Sequence, residues 1–99
     1  MIAQDATDIR VLVLAEGDNI GVLTGTVMAG EEIEVAGQTV VMSATLGMGH
    51  KLAITAIPSG ADILKYGFPI GYAVAEISIG AHVHVHNLTS RYTTVEIME

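Results

Sequence analysis

The chain has 99 residues, 51% of them hydrophobic, with 11 Asp and Glu against 4 Lys and Arg for a formal net charge of -7. That balance argues against non-specific nucleic-acid binding, which needs Lys and Arg to neutralise phosphates, and against docking on an anionic membrane. Cysteine is absent, which rules out disulfides, thiolate nucleophiles and Cys-ligated metal sites.

One domain is expected over residues 1–99, with a core small enough for partner surfaces to matter to its stability. The aromatic residues are Tyr66, Phe68, Tyr72 and Tyr92, so the core must come mainly from Val, Ile, Leu, Ala and Met. Residues 1–8 read as a polar lead-in without the basic and apolar regions of a signal peptide, and no stretch has the length of a membrane span, which makes a cytoplasmic location the expectation. Residues 9–15 read as a strand, apolar almost throughout and therefore central in its sheet. Glu16-Gly17-Asp18-Asn19 is a turn signal. Residues 20–28 fit a second strand or a short helical turn starting at Asp18 or Asn19, while Gly21 and Gly25 oppose a long helix.

A turn at residues 29–32 leads to a strand at 33–35, and Gly37-Gln38 separates it from a hairpin partner at 39–44. Residues 46–50 form a glycine-flanked loop ending at His50. Residues 51–57 follow as a strand, with Leu52, Ile54 and Ala56 on one face. After a turn at 58–61, short apolar stretches at 62–66 and 68–75 are broken by Gly67. The last turn, at 76–80, precedes Gly80-Ala-His-Val-His-Val-His-Asn87, and residues 91–97 read as a closing strand. Gly30-Glu-Glu-Ile33, Gly60-Ala-Asp-Ile63 and Gly80-Ala-His-Val83 share a pattern, a glycine with a β-branched apolar residue three positions later. Their unequal spacing excludes a solenoid and points to a small barrel or clip that uses one turn three times. The fold is expected to be mostly β with one or two short helical turns.

His82, His84 and His86 alternate with Val83 and Val85, so in a strand the imidazoles share one face and the valines the other. Neighbouring imidazoles about 6.5–7 Å apart can converge on one ion, whereas the outer two, about 13 Å apart, rarely do. One reading is that two of the three bind a divalent metal or a substrate, with His50 or a partner's carboxylate. The other is an imidazole row hydrogen-bonded to neighbouring strands, or a pH-sensitive subunit interface. Asn87 either caps a turn or orients a substrate hydroxyl. Lys51 either is solvated or pairs with a substrate carboxylate. Asp18 and Asn19 are turn formers first, with Asp18 a distant metal ligand as the alternative. Lys65 and Tyr66 either decorate a binding loop or stiffen it. No phosphate-cradling glycine loop and no nucleophile elbow is present.

Gly49-His50-Lys51, Ile57-Pro-Ser-Gly60, Ile63-Leu-Lys-Tyr-Gly67, Ile70-Gly71 and His84-Val-His-Asn-Leu88 occur in this order. Together with Asp18-Asn19 they resemble the SAF-type domain of altronate and galactarate dehydratases, shared with the small subunit of sulfolactate sulfo-lyase. The resemblance runs from about Ala15 to Leu88 and implies a β-clip fold. It implies a part in β-elimination, as dehydration or desulfonation, from a small anionic hydroxy or sulfo acid such as altronate, galactarate or sulfolactate. By the same resemblance the chain is a small subunit or standalone relative that needs a large dehydratase-like catalytic subunit. Catalytic roles would fall on His50, His84 and His86, substrate binding on Lys51 and Asn87, and metal binding on His84 and His86. A divalent metal such as Fe2+ or Mn2+ would be held at least partly by the partner. His82 occupies a position that the motif does not fix. The alternative function is a noncatalytic module that binds a sugar acid or stabilises a homo-oligomer.

Overall fold

Glycine sets the plan of the chain, in a turn that recurs four times. The computed structural model describes residues 6–84 and 88–89. Glu31, His50, Ala61 and Ala81 each donate a backbone N–H three residues back, to the carbonyls of Met28, Gly47, Pro58 and Ser78 at 3.0–3.3 Å. The third residue of each turn is Gly30, Gly49, Gly60 or Gly80, with φ between 82° and 91°, the type II geometry that a side chain opposes. A reciprocal pair of backbone bonds then clamps each turn. Gly30, Gly49, Gly60 and Gly80 donate to the carbonyls of Met42, Leu23, Ala73 and Ala53, and the N–H of each acceptor residue returns a bond to the carbonyl just after the glycine.

The four turns belong to two similar halves. Val27 bridges Leu46 in the first, and Ile57 bridges Ile77 in the second. The first contains the hairpin β3 (Glu32–Val35) and β4 (Gln38–Val41), the second the hairpin β6 (Asp62–Lys65) and β7 (Phe68–Ala73). Both hairpins reverse through two residues of positive φ, Ala36-Gly37 at 50° and 84° and Tyr66-Gly67 at 59° and 77°, as a type I′ turn requires. The β6–β7 pair carries a register shift between Ile63 and Leu64. The uneven glycine spacing is thus a pair of pairs, with one irregular hairpin.

Between the halves runs an antiparallel sheet in the order β1 (Val11–Leu12), β2 (Ile20–Leu23), β5 (Lys51–Ala53), β8 (His82–Val83). A further strand, β9 (Leu88–Thr89), pairs with β7. Two apolar clusters fill the halves. Val11, Leu23, Val27, Ile33, Val35, Met42, Leu46 and Leu52 form one, and Ile20, Ala53, Ile57, Ile63, Ala73, Ile77 and Val83 the other. Strand alternation lets β2 and β5 serve both, since Leu23 and Leu52 enter the first cluster while Ile20 and Ala53 enter the second. The buried core contains no aromatic residue among those described, as composition requires.

The mostly β reading holds, consistent with a β-clip, and two local readings change. No helical turn occurs among the described residues. At Gly21 an added Cβ would lie 2.5 Å from Val11 Cγ1, so β2 packs its backbone directly on β1. Residues 9–15 are not a central strand. Val11–Leu12 alone is extended and lies at the sheet edge, with Ile9 93% exposed. The cause is Arg10, whose guanidinium reaches Asp8 at 2.8 Å and Glu31 at 2.6 Å, while Val11 N–H turns back onto the Asp8 carbonyl. The closing strand read at residues 91–97 lies outside the described residues.

An added Cβ at Gly80 would run into the Val40 side chain, whereas at Gly60 it would meet nothing within 4 Å. Urea denaturation of Gly60→Ala should therefore show only backbone strain, about 1 kcal/mol, and Gly80→Ala a larger loss of about 2–3 kcal/mol. The hydrogen bond from the Arg10 side chain, partly opposed by burial, holds the Asp8 carboxyl at about 2, below its ordinary 3.8. A depressed folded-state value stabilises above the unfolded value and is lost as pH falls through the folded one. The melting-temperature gap between the native chain and Asp8→Asn should be full at pH 5 and close as pH falls from about 4 to 2.

Candidate functional site: a three-histidine cluster

Two of the clamped turns place the histidines. His50 directly follows Gly49, and its carbonyl accepts from Leu23 N–H at 2.8 Å. Gly80 starts the approach to β8, which pairs with β5 so that Leu52 lies opposite His82 and Lys51 opposite Val83. Residues directly opposite in an antiparallel pair share a face. His82 therefore lies on the face of Leu52, and so does His50, two residues earlier. His84 follows on the same side. His50 and His84 are exposed and His82 is half-buried.

The three imidazoles meet. His50 Nδ1 and His82 Nε2 are 3.1 Å apart, with ring centroids at 5.0 Å and planes crossing at 63°. The His82 and His84 rings stack at 5.4 Å with planes 7° apart. The His50 and His84 centroids are 6.3 Å apart. An N···N bond needs one N–H and one bare nitrogen, so the tautomers of His50 and His82 are tied together. Among the described residues no group of three His, Asp or Glu side chains is arranged to hold a metal ion. His86 and Asn87, expected beside His84, lie outside the described residues.

Lys51 follows His50 in sequence but points to the other face. It lies in register with Val22 and Val83, and alternation directs it away from the imidazoles. Burial lowers its pKa, and the nearby Lys65 ammonium lowers it further. The structure thus brings His50 and His84 together, adds His82, and leaves Lys51 outside the cluster.

Asp18 and Asn19 are more than turn formers. Asp18 is 7% exposed, and its carboxylate accepts from the backbone N–H groups of Tyr66 at 2.8 Å, Gly67 at 2.7 Å and Ala15 at 3.1 Å. Asn19 accepts from Leu64 N–H and donates to the Asp62 carbonyl, both at 2.8 Å, standing in for a neighbouring strand along β6. The brace bonds the backbone at Leu64 and Tyr66, on either side of Lys65.

The altronate/galactarate dehydratase SAF domain model matches residues 9–91. The altronate dehydratase of Escherichia coli is 42% identical over 79 residues, covering 80% of this chain and 16% of that protein. The altronate dehydratase of Bacillus subtilis is 35% identical over 80 residues, covering 81% of this chain and 16% of that protein. The (2R)-sulfolactate sulfo-lyase subunit alpha of Chromohalobacter salexigens is 37% identical over 94 residues, covering 91% of this chain and 93% of that subunit. The chain thus spans only a small part of the dehydratases it matches, and nearly all of the sulfo-lyase subunit.

Asp18→Ala would leave the Tyr66 and Gly67 N–H groups without their acceptor and release a turn in which Tyr66 has positive φ. Denaturant unfolding should show a loss of about 2–4 kcal/mol, and hydrogen exchange should accelerate most at Ala15, Tyr66 and Gly67.

Proposed function

Because the chain belongs to the altronate/galactarate dehydratase SAF domain family, we propose that it is the small component of a lyase and supplies imidazoles to a site shared with a larger catalytic chain. The observation that carries this reading is the grouping of His50, His82 and His84 on one face at a sheet edge. Among the described residues the core clusters are apolar throughout and contain no imidazole. The near-complete coverage of a sulfo-lyase alpha subunit favours a separate small subunit.

The chemistry explains the division of labour. Elimination from a 2-hydroxy acid removes a weakly acidic proton beside a carboxylate, stabilises the resulting enediolate, and helps hydroxide or sulfite depart. Imidazoles suit the proton transfers. Positive charge for the enediolate and the carboxylate is scarce here. Arg10 is bound by Asp8 and Glu31, and Lys51 lies on the opposite face from the imidazoles. We therefore assign the carboxylate clamp to the larger chain, together with most ligands of a divalent metal such as Fe2+ or Mn2+, which would supply Lewis-acid stabilisation when bound. Altronate, galactarate and (2R)-sulfolactate are the acids proposed. A cytoplasmic setting belongs to this reading, and among the described residues no helix is long and apolar enough to cross a membrane.

The test is to purify the tagged chain from its own cells in gentle, metal-containing buffer and to assay the product with the three acids. A large dehydratase-like chain should co-purify in stoichiometric amount, and one acid should be eliminated. His50→Ala should lower kcat by about 10²–10⁴-fold without dissociating the complex. A complex equally active after His50→Ala and His84→Ala would contradict the reading, as would recovery of the chain alone without turnover. The second outcome would favour a noncatalytic binding or oligomerisation module.

A further inference from the structure

We propose that the tip of the β6–β7 hairpin, Lys65-Tyr66-Gly67-Phe68, is the anchor that docks this chain on the larger catalytic chain, in an apolar pocket rimmed by carboxylates. The proposal rests on the shared-site lyase reading and adds the surface that holds the two chains together.

The tip carries aromatic side chains where the fold has no need of them. Three Tyr and one Phe are all the aromatic residues of the chain, and Tyr66 and Phe68 stand 61% and 71% exposed. Tyr66 also has a φ of 59°, in a type I′ turn where Asn, Asp or Gly sits with less strain. The first hairpin turns through the same geometry with Ala36, which offers little to a partner. Strained residues cluster where a protein binds or reacts, and persist where their surroundings hold them. Here the buried Asp18 carboxylate does so, accepting from the N–H groups of Tyr66 and Gly67. The two rings thus project from a backbone that is already fixed, so docking costs little ordering entropy. Aromatic side chains are enriched among the residues that dominate binding at interfaces.

Charge indicates the occupant. Lys65 lies opposite Phe68 across the ladder and so on the same face, and the Lys51 ammonium is nearby. Among the described residues neither lysine forms an ion pair, although the chain carries a net charge of -7. The Asp18 carboxylate at the tip is taken up by backbone N–H groups. A second copy docked tip to tip would bring the lysines of both copies together, which opposes symmetric self-association here. An acidic surface on a different chain suits them. In the altronate dehydratases the matching region is 16% of one continuous chain, covalently tied to the rest. A separate small subunit has only its surface with which to hold a larger chain.

The test measures binding of the labelled full chain to the larger chain isolated from its own cells. Tyr66→Asn and Phe68→Thr should each weaken binding by about 10–100-fold. The control Val41→Thr, on the other hairpin and also 61% exposed, should bind as the native chain does. Tyr66→Asn should raise the melting temperature of the small chain, because Asn adopts positive φ more readily. Affinity lost while stability is gained is a result that a purely structural role does not produce. Lys65→Glu should weaken binding most at low salt. With enough Tyr66→Asn chain to saturate the larger chain, kcat should return to the native value. Native affinity in both Tyr66→Asn and Phe68→Thr would overturn the proposal. So would a native dimer in sedimentation that Tyr66→Asn dissociates, which would make a second copy the occupant. If the native chain captures no larger chain, the lyase reading fails and the anchor with it, whereas a native complex indifferent to the tip variants fails the anchor alone.

Discussion

The reciprocal backbone bonds at the glycine turns are the constraint on which the rest of the molecule depends. At Gly49 and Gly80 they tie the turn to Leu23 and to Ala53, and so fix where β5 and β8 begin. That sets Leu52 opposite His82, and this register puts His50 and His82 within hydrogen-bonding distance. A slip of one residue would send Leu52 out of its core and the imidazoles to the other face. Burial of Leu52, fully enclosed in the first cluster, resists that slip by about 1.5–3 kcal/mol. Packing and chemistry thus depend on the same pairing.

A second tie joins the sheet to the second half. Asp18 and Asn19 lie at the turn leading into β2, yet their side chains bond the backbone of the β6–β7 hairpin. A buried carboxylate that accepts three backbone N–H groups satisfies donors that the Tyr66-Gly67 reversal would otherwise leave unmatched. The first hairpin manages its tip differently, with Ala36 N–H donating to Thr7 Oγ1. The halves share a backbone plan and differ in how they are braced.

Much of this was legible in the sequence, and the misses have physical causes. Alternation of His82 with Val83 reads directly as a strand with an imidazole face, and Val83 does enter the core. The glycine echo was visible at Gly30, Gly60 and Gly80, but its fourth copy, Gly49-His-Lys-Leu52, ends in leucine and escapes a pattern written for β-branched residues. That copy carries His50, which the structure sets beside His82. The apolar run at 9–15 suggested a central strand because periodicity does not register an ion pair such as Arg10 with Glu31, which is remote in sequence. The long-range bonds of Asp18 are equally silent in a linear reading. His50 and Lys51, neighbours in the chain, part to opposite faces because a strand alternates.

The central claim is that this histidine face completes a site on a larger chain. The most direct measurement is the structure of the co-purified complex with a non-eliminable analogue of the acid that it turns over. The account predicts the imidazole of His50 or His84 facing the analogue, about 3–3.5 Å from the carbon beside the carboxylate or from the leaving oxygen or sulfur. An analogue bound wholly within the larger chain, with the imidazoles turned to solvent, would contradict it.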